Sequence, residues 1–190
     1  MELKNNRMLL IGAGGTGKST FIHNIMCLYI NSGIKEKVLI YDIDINPHYA
    51  RYPIIPKESV HRWKKGIARV IDTDYEAAIR YLNKCENALI VLEDCSKYLV
   101  FSASKPPDYV RSFVFGAKQR YCDTLVTFHG WKLTDSLFLN NCDCLELFKT
   151  GEKISLFQAK IPMYEQIEPI HDEIKRNPSK YFHKSIKMTL

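Results

Sequence analysis

Apolar runs alternate along the chain with segments that have helical spacing. Six short apolar runs predict β-strands, and they lie at 7–11, 37–44, 66–72, 88–92, 124–130 and 144–151. Four segments between them predict helices, at 19–30, 74–84, 108–121 and about 133–140. The run ALIVL at 88–92 is apolar at every position, which is typical of a strand buried on both faces. The alternation predicts an α/β fold in three layers, with a mostly parallel sheet covered by helices on both faces.

Length and composition indicate one folded domain. The 190 residues are 46% hydrophobic and 25% charged, which excludes a disordered chain or a collagen-like repeat. No apolar run approaches the roughly 20 residues that cross a bilayer, and the start of the chain is too short in apolar residues for a secretory signal. We therefore expect a cytoplasmic location, in the host if the protein is viral. The six cysteines lack zinc-site spacing and are expected to be reduced.

A glycine-rich segment after the first predicted strand carries the strongest chemical signal. Residues 12–19 read GAGGTGKS, which satisfies the phosphate-binding pattern G-x-x-x-x-G-K-[ST] between a strand and a helix. Lys18 is expected to reach the β- and γ-phosphates, and Ser19 to bind Mg²⁺. The pattern predicts binding of ATP by the whole loop, namely Gly12, Ala13, Gly14, Gly15, Thr16, Gly17, Lys18, Ser19 and Thr20.

Two acidic residues end the buried strand at 88–92. Glu93 and Asp94 point in different directions along a strand, so one can face the metal while the other polarises the attacking water. The sequence leaves open which does which, although Glu93, with Ser19, is our candidate for the metal site. Both acids are candidate catalytic residues together with Lys18.

The order of motifs resembles the FtsK/HerA superfamily of P-loop ATPases, particularly its viral genome-packaging branch. The resemblance spans about residues 7–150 and rests on GAGGTGKS, ALIVLED, Arg120 before TLVTFHG, and LNNCDCLELFK. It implies a RecA-like sheet of the ASCE class, ATP hydrolysis with Mg²⁺, and a homo-oligomer, usually a hexameric ring, that moves double- or single-stranded DNA. Capsid or vertex proteins would be further partners, and the protein could be virion-associated.

The resemblance also implies roles for three later residues. Arg120 matches the family's arginine, His129 its γ-phosphate sensor, and Asn141 its asparagine before the last core strand. Two departures weaken the match, since the acid pair is usually Asp-Glu or a double Asp, and the sensor is usually Gln. Arg111 and Lys118, on the other edge of the same predicted helix, are alternatives to Arg120.

A basic segment with one tryptophan is the candidate for nucleic-acid binding. In HRWKK at 61–65, Arg62, Lys64 and Lys65 could neutralise phosphates while Trp63 stacks on a base. A solvated loop anchored by the tryptophan explains the same residues. The net charge of +6 permits a polyanionic partner without requiring one.

The end of the chain is predicted to form an appendage to the core. We divide the chain into a P-loop core at 1–151 and an appendage at 152–190. The appendage has a mixed-charge helix at 164–176, interrupted by Pro169, and a basic tail.

Two other function classes are possible for this sequence. A small-molecule kinase could use Asp42 and Asp44, but it would need an arginine-rich lid that the sequence lacks. A ParA-like partitioning ATPase would need a lysine in place of Ala13.

Overall fold

A seven-stranded sheet forms the centre of the computed structural model, which describes residues 6–101 and 105–188. Residues 1–5 and 102–104 of the predicted core and 189–190 of the predicted tail lie outside this description. The strands are β1 (Arg7–Ile11), β2 (Lys37–Tyr41), β3 (Gly66–Val70), β4 (Ala88–Leu92), β5 (Asp123–Phe128), β6 (Cys144–Phe148) and β7 (His183–Lys187). The α-helices are α1 (Lys18–Asn31), α2 (Tyr75–Leu82), α3 (Asp108–Gly116), α4 (Ser136–Leu139) and α5 (Tyr164–Arg176). Short 3₁₀ turns cover Pro47–Tyr49, Lys57–Arg62, Cys95–Lys97 and Ile154–Lys160.

The strand order is β3-β2-β4-β5-β1-β6-β7, in which the first six strands are parallel. Alternation along β1 sends Leu9 and Ile11 into one hydrophobic cluster and Leu10 into another on the opposite face, where α1 packs. Every residue of β4 is buried, as its apolar run predicted. The predicted α/β fold with a mostly parallel sheet is confirmed.

Several elements end earlier than the apolar pattern predicted. The largest difference is in α3, which ends at Gly116, whereas the sequence predicted a helix to residue 121. Residues 117–122 form tight turns instead, because Tyr121 adopts a left-handed conformation (φ 55°) and Cys122 N–H bonds back to the carbonyl of Ala117. By contrast, α5 continues through Pro169. A proline removes one backbone hydrogen bond, and burial of Ile167 and Ile174 holds the helix together.

The basic tail contributes a strand that the sequence did not predict. Residues of β7 pair antiparallel with β6, and Leu145 lies opposite Ile186. Ile186 and Met188 are buried in the main hydrophobic cluster. Because Ile186 is the one apolar side chain within HKSIK, the strand is too short and too polar to produce a recognisable alternation.

No helix within the described parts of the chain is long and apolar enough to span a membrane. All six cysteines are free thiols, and four of them are buried.

A buried histidine on α5 predicts a pH-dependent stability. His171 is 2% exposed, and its Nε2 lies 3.1 Å from the Thr150 hydroxyl. Burial lowers the pKa of His171, and Asp172 opposes this shift only in part. The unfolded chain, with a histidine pKa near 6.5, therefore takes up a proton more readily than the folded chain. The contribution of neutral His171 is present at pH 7.5 and is lost as the pH falls below about 6.5.

We expect His171→Gln to flatten the pH dependence of the unfolding free energy between pH 7.5 and 5.5. A single such histidine contributes a slope of up to about 1.4 kcal/mol per pH unit. Urea unfolding at both pH values measures it, with His61→Gln as the matched control because His61 is exposed. A slope in His171→Gln equal to that of the wild type would contradict the prediction.

Candidate nucleotide-binding site

The glycine-rich loop between β1 and α1 has the geometry of a phosphate-binding loop. Gly15 and Gly17 adopt left-handed backbone conformations, with φ of 72° and 97°. Gly12 is required for a different reason, since a Cβ at this position would lie 2.4 Å from Cβ of Phe148 on the adjacent β6. The loop is further fixed by Thr16, whose hydroxyl donates to the carbonyl of Ala13 at 2.8 Å.

Lys18 begins α1 and folds its side chain back into the loop. Its ammonium donates to the carbonyl oxygens of Gly12 at 2.5 Å and Ala13 at 2.9 Å, and the residue is 7% exposed. Burial lowers the pKa of Lys18, while the negative charges of Glu93 and Asp94 act in the opposite direction. A phosphate oxygen at the helix N-terminus would give this buried charge an anionic partner.

Glu93 is held by four side chains at the end of β4. Its Oε1 accepts from Ser19 Oγ at 3.0 Å, Tyr49 OH at 3.0 Å and Asn46 Nδ2 at 3.3 Å. Its Oε2 accepts from Thr127 Oγ1 at 2.8 Å. The carboxylate is therefore fixed beside the hydroxyl of the P-loop serine.

Ser19 and Glu93 fit a magnesium site. Both offer hard oxygen ligands, and Mg²⁺ bound with a nucleotide typically uses only one or two protein ligands beside phosphates and waters. Within residues 6–101 and 105–188 no three His, Cys, Asp or Glu side chains gather as a metal cluster.

Asp94 points away from Glu93 into a different environment. Its backbone is left-handed (φ 49°), and its N–H donates to Thr127 Oγ1 at 2.8 Å. Its carboxylate lies 3.0 Å from Nε2 of His129 and 3.0 Å from Nζ of Lys97. Burial raises the pKa of Asp94, but the hydrogen bonds and charges of His129 and Lys97 outweigh it and bring the pKa to about 2.

These groups open into one cavity of about 580 Å³. It is lined by Gly14, Gly15, Gly17, Lys18, Ser19, Thr20, Asp42, Ile43, Asp44, Asn46, His48, Glu93, Asp94, Lys97, His129, Lys180 and Tyr181. Six of the nine predicted P-loop residues are in this lining, while Gly12, Ala13 and Thr16 shape the loop from behind. The structure also brings Glu93, Asp94 and His129 into this lining.

Several residues of the site were not predicted from the sequence. Asn46 and Tyr49 follow β2, Thr127 lies within β5, and Lys180 and Tyr181 come from the tail. The polar residues after β2 could have indicated this part of the site, because the ends of parallel strands meet at one edge of the sheet. Thr127 sits inside an apolar strand and gave none.

Arg120 lies outside this cavity. It precedes β5, whereas His129 follows it, so about 20 Å of strand separates them. Its guanidinium donates to the carbonyl of Ser112 and to Asn83 Oδ1, both at 3.3 Å. Arg120 is therefore not part of the cavity of its own chain, because the two lie at opposite ends of the same strand.

The alternatives to Arg120, and Asn141, are also outside the cavity lining. Arg111 is 3.9 Å from Asp108 within α3, and Asn141 Nδ2 donates to the carbonyl of Leu137 at 2.8 Å. Lys118, like Arg120, belongs to the turn segment after α3. The positive charge of Lys118 helps to lower the pKa of Asp143, which precedes β6.

The basic segment at 61–65 lies at the end of the sheet opposite the P-loop, immediately before β3. Arg62, Lys64 and Lys65 are exposed. Trp63 is half-buried against the main cluster, and its indole N–H donates to the carbonyl of Gly66 at 3.1 Å. Trp63 therefore anchors this loop. This packing corrects the prediction that its ring is free to stack on a base.

Comparisons with known proteins give the fold a clear parallel. No protein-family model matches the sequence, and no curated protein matches it. The structure is similar to the genome packaging NTPase B204 from Sulfolobus turreted icosahedral virus 2 in complex with ATP-γS, with a TM-score of 0.77, 11% identity, and coverage of 98% of this chain and 93% of that chain.

Two other solved structures are more distant. The N-terminal domain of zonular occludens toxin from Neisseria meningitidis gives a TM-score of 0.51 at 15% identity, covering 98% of this chain and 95% of that chain. The pCW3 conjugation coupling protein TcpA, with ATP-γS, gives 0.54 at 11% identity, covering 84% of this chain and 52% of that chain. At identities of 11–15%, these similarities confirm the predicted fold.

Proposed function

We propose that this chain is a magnesium-dependent ATPase that drives DNA translocation, as a viral genome-packaging motor does. The observation that carries the ATPase proposal is the 3.0 Å contact between Ser19 of the P-loop and Glu93 at the end of β4, with Asp94 directed separately into the same cavity. The fold shared with B204, a genome packaging NTPase solved with ATP-γS, supports it.

The environments of the side chains support a role for each of them. Lys18 would hold the β- and γ-phosphates, and Ser19 and Glu93 would hold the metal. Mg²⁺ held there would supply positive charge against the negative charge that develops on the phosphates. Glu93 suits this role because its four hydrogen bonds prevent it from turning toward a water.

Asp94 is the residue that we place beside the attacking water. With a pKa of about 2 it is ionised at neutral pH and accepts hydrogen bonds. Such a weak base orients a water more than it deprotonates it, which suits a loose phosphoryl-transfer transition state. His129, 3.0 Å from Asp94, connects this acid to the γ-phosphate end of the cavity.

The DNA-translocating role adds a surface and an assembly. Arg62, Lys64 and Lys65 present exposed positive charge at the end of the sheet away from the nucleotide cavity. Strands β3, β2 and β4 run from the end of the sheet with the basic segment to the end with the nucleotide cavity. They would transmit conformational changes between the two. In a ring, Arg120 could act only on the nucleotide of a neighbouring subunit.

We expect double-stranded DNA to stimulate ATP hydrolysis, and the variant Arg62→Ala/Lys64→Ala/Lys65→Ala to lose that stimulation. The salt dependence of DNA binding, as log K against log salt, should become shallower by about 0.9 for each lost phosphate contact. ATPase assays with and without DNA, and binding at several salt concentrations, measure both.

Lys153→Ala/Lys175→Ala/Arg176→Ala is the matched control, since it removes three exposed positive charges elsewhere. Equal loss in both triple variants would show a general charge effect and contradict the assigned surface. ADP formation that requires a small acceptor molecule would instead indicate a kinase. Asp42 does not favour that class, because it is fully buried and paired with Arg69 at 3.3 Å.

A further inference from the structure

Two residues that line the nucleotide cavity belong to the segment between α5 and β7. Tyr181 is 58% exposed, and its Cδ1 would lie 3.3 Å from a Cβ placed on Gly17. Lys180 Nζ is 4.9 Å from the centre of the Tyr181 ring. The tail therefore brings an aromatic ring and a positive charge to the mouth of the P-loop.

The position of this segment is fixed by contacts on both sides of Tyr181. Before it, Lys149 Nζ donates to the carbonyl of Asn177 at 2.5 Å. After it, the ring of His183 stacks on Phe148 with centroids 4.6 Å apart and meets Phe21 edge-on. Phe148 also packs directly against Gly12 of the P-loop. Contacts through Phe148 therefore hold the tail against the loop.

The sheet order gives the direction in which a bound nucleotide must lie. Glu93 follows β4 and His129 follows β5, so the metal and γ-phosphate belong on that side of β1. A triphosphate that runs across the P-loop from there directs its nucleoside toward β6 and β7. Tyr181 stands on that side, and among the described residues that line the cavity it is the only Phe, Tyr or Trp.

We propose that Tyr181 binds the base of the nucleotide by stacking, with Lys180 beside it contributing positive charge near the sugar and α-phosphate. This inference rests on the proposed function and names the residue that holds the nucleoside end of the substrate. Because every base presents a π-face to an aromatic ring, stacking here favours a nucleotide over a bare triphosphate and does not separate ATP from GTP.

Binding of Mg²⁺–ATP-γS and of Mg²⁺–tripolyphosphate, measured by calorimetry, tests the proposal. We expect Tyr181→Ala to weaken ATP-γS binding about 5- to 150-fold, from a stacking contribution of about 1–3 kcal/mol. Tripolyphosphate should bind Tyr181→Ala as it binds the wild type. Tyr181→Phe should retain nucleotide affinity, and Tyr121→Ala is the matched control because Tyr121 is 68% exposed beyond the far end of β5.

A second readout follows stacking directly. We expect tryptophan fluorescence of Tyr181→Trp to be quenched by ATP-γS more than that of the wild type, and not by tripolyphosphate. Unchanged ATP-γS affinity in Tyr181→Ala, or equal weakening of both ligands, would overturn the proposal and leave the P-loop function intact. A wild-type chain that binds neither ligand would overturn the proposed function and this inference together.

Discussion

Asp94→Asn is expected to lower the turnover of ATP by about 100-fold, the size of effect that follows when a reacting group is misplaced. Binding of Mg²⁺–ATP should remain within a few-fold of the wild type, since Lys18, Ser19 and Glu93 are unchanged. Single-turnover hydrolysis together with nucleotide titration separates the two quantities.

The asparagine variant suits this test because the backbone tolerates it. Asp94 has a left-handed conformation, which asparagine adopts more readily than most residues. The N–H bond to Thr127 Oγ1 is also kept. Asp108→Asn, at a side chain that is 92% exposed, is the matched control.

Glu93→Gln should behave differently and thereby identify each acid. Without a negative charge beside Ser19, we expect the variant to need more Mg²⁺ for the same nucleotide affinity. If Glu93→Gln instead binds Mg²⁺–ATP normally and fails only in hydrolysis, while Asp94→Asn remains active, the two roles are reversed.

Lys18→Met is expected to have the second large effect, lowering ATP turnover by about 100-fold or more, as does loss of one preorganised charge-stabilising donor. Methionine keeps most of the buried aliphatic volume but cannot donate to a phosphate. Nucleotide affinity should fall too, since the ammonium is the buried positive charge within the loop. Calorimetry and steady-state ATPase assays measure these losses.

Lys84→Ala is the control for this variant, as Lys84 is exposed after α2 and distant from the loop. The melting temperature of Lys18→Met should be checked, because the carbonyls of Gly12 and Ala13 lose their donor. A folded Lys18→Met that hydrolyses ATP at the wild-type rate would show that the loop does not serve the chemistry.

Local patterns allowed much of the fold and the phosphate end of the site to be predicted. The glycines of the P-loop are specified by backbone geometry, as φ at Gly15 and Gly17 shows. The acid pair after β4 was recognisable because a fully buried strand reads as an unbroken apolar run. Such features depend on neighbours in the sequence.

Features that depend on packing between distant segments could not be predicted. The bonds of Arg120 to the carbonyl of Ser112 in α3 and to Asn83 after α2 depend on such packing. The bond from Trp63 to Gly66 is local, but whether the ring is covered depends on the main cluster. Tyr181 reaches the P-loop because β7 pairs with β6, and one buried isoleucine gave little sign of that strand.

Strand β7 also affects how copies of this chain can associate. It is the last strand of the sheet and bears Lys184 and Lys187, and such charges on an outermost strand oppose pairing with a foreign strand. At the other border, residues 53–55 already bond to Arg69 of β3. Any association between copies of this chain is therefore expected to use side-chain contacts and not to extend the sheet, which disfavours fibre growth.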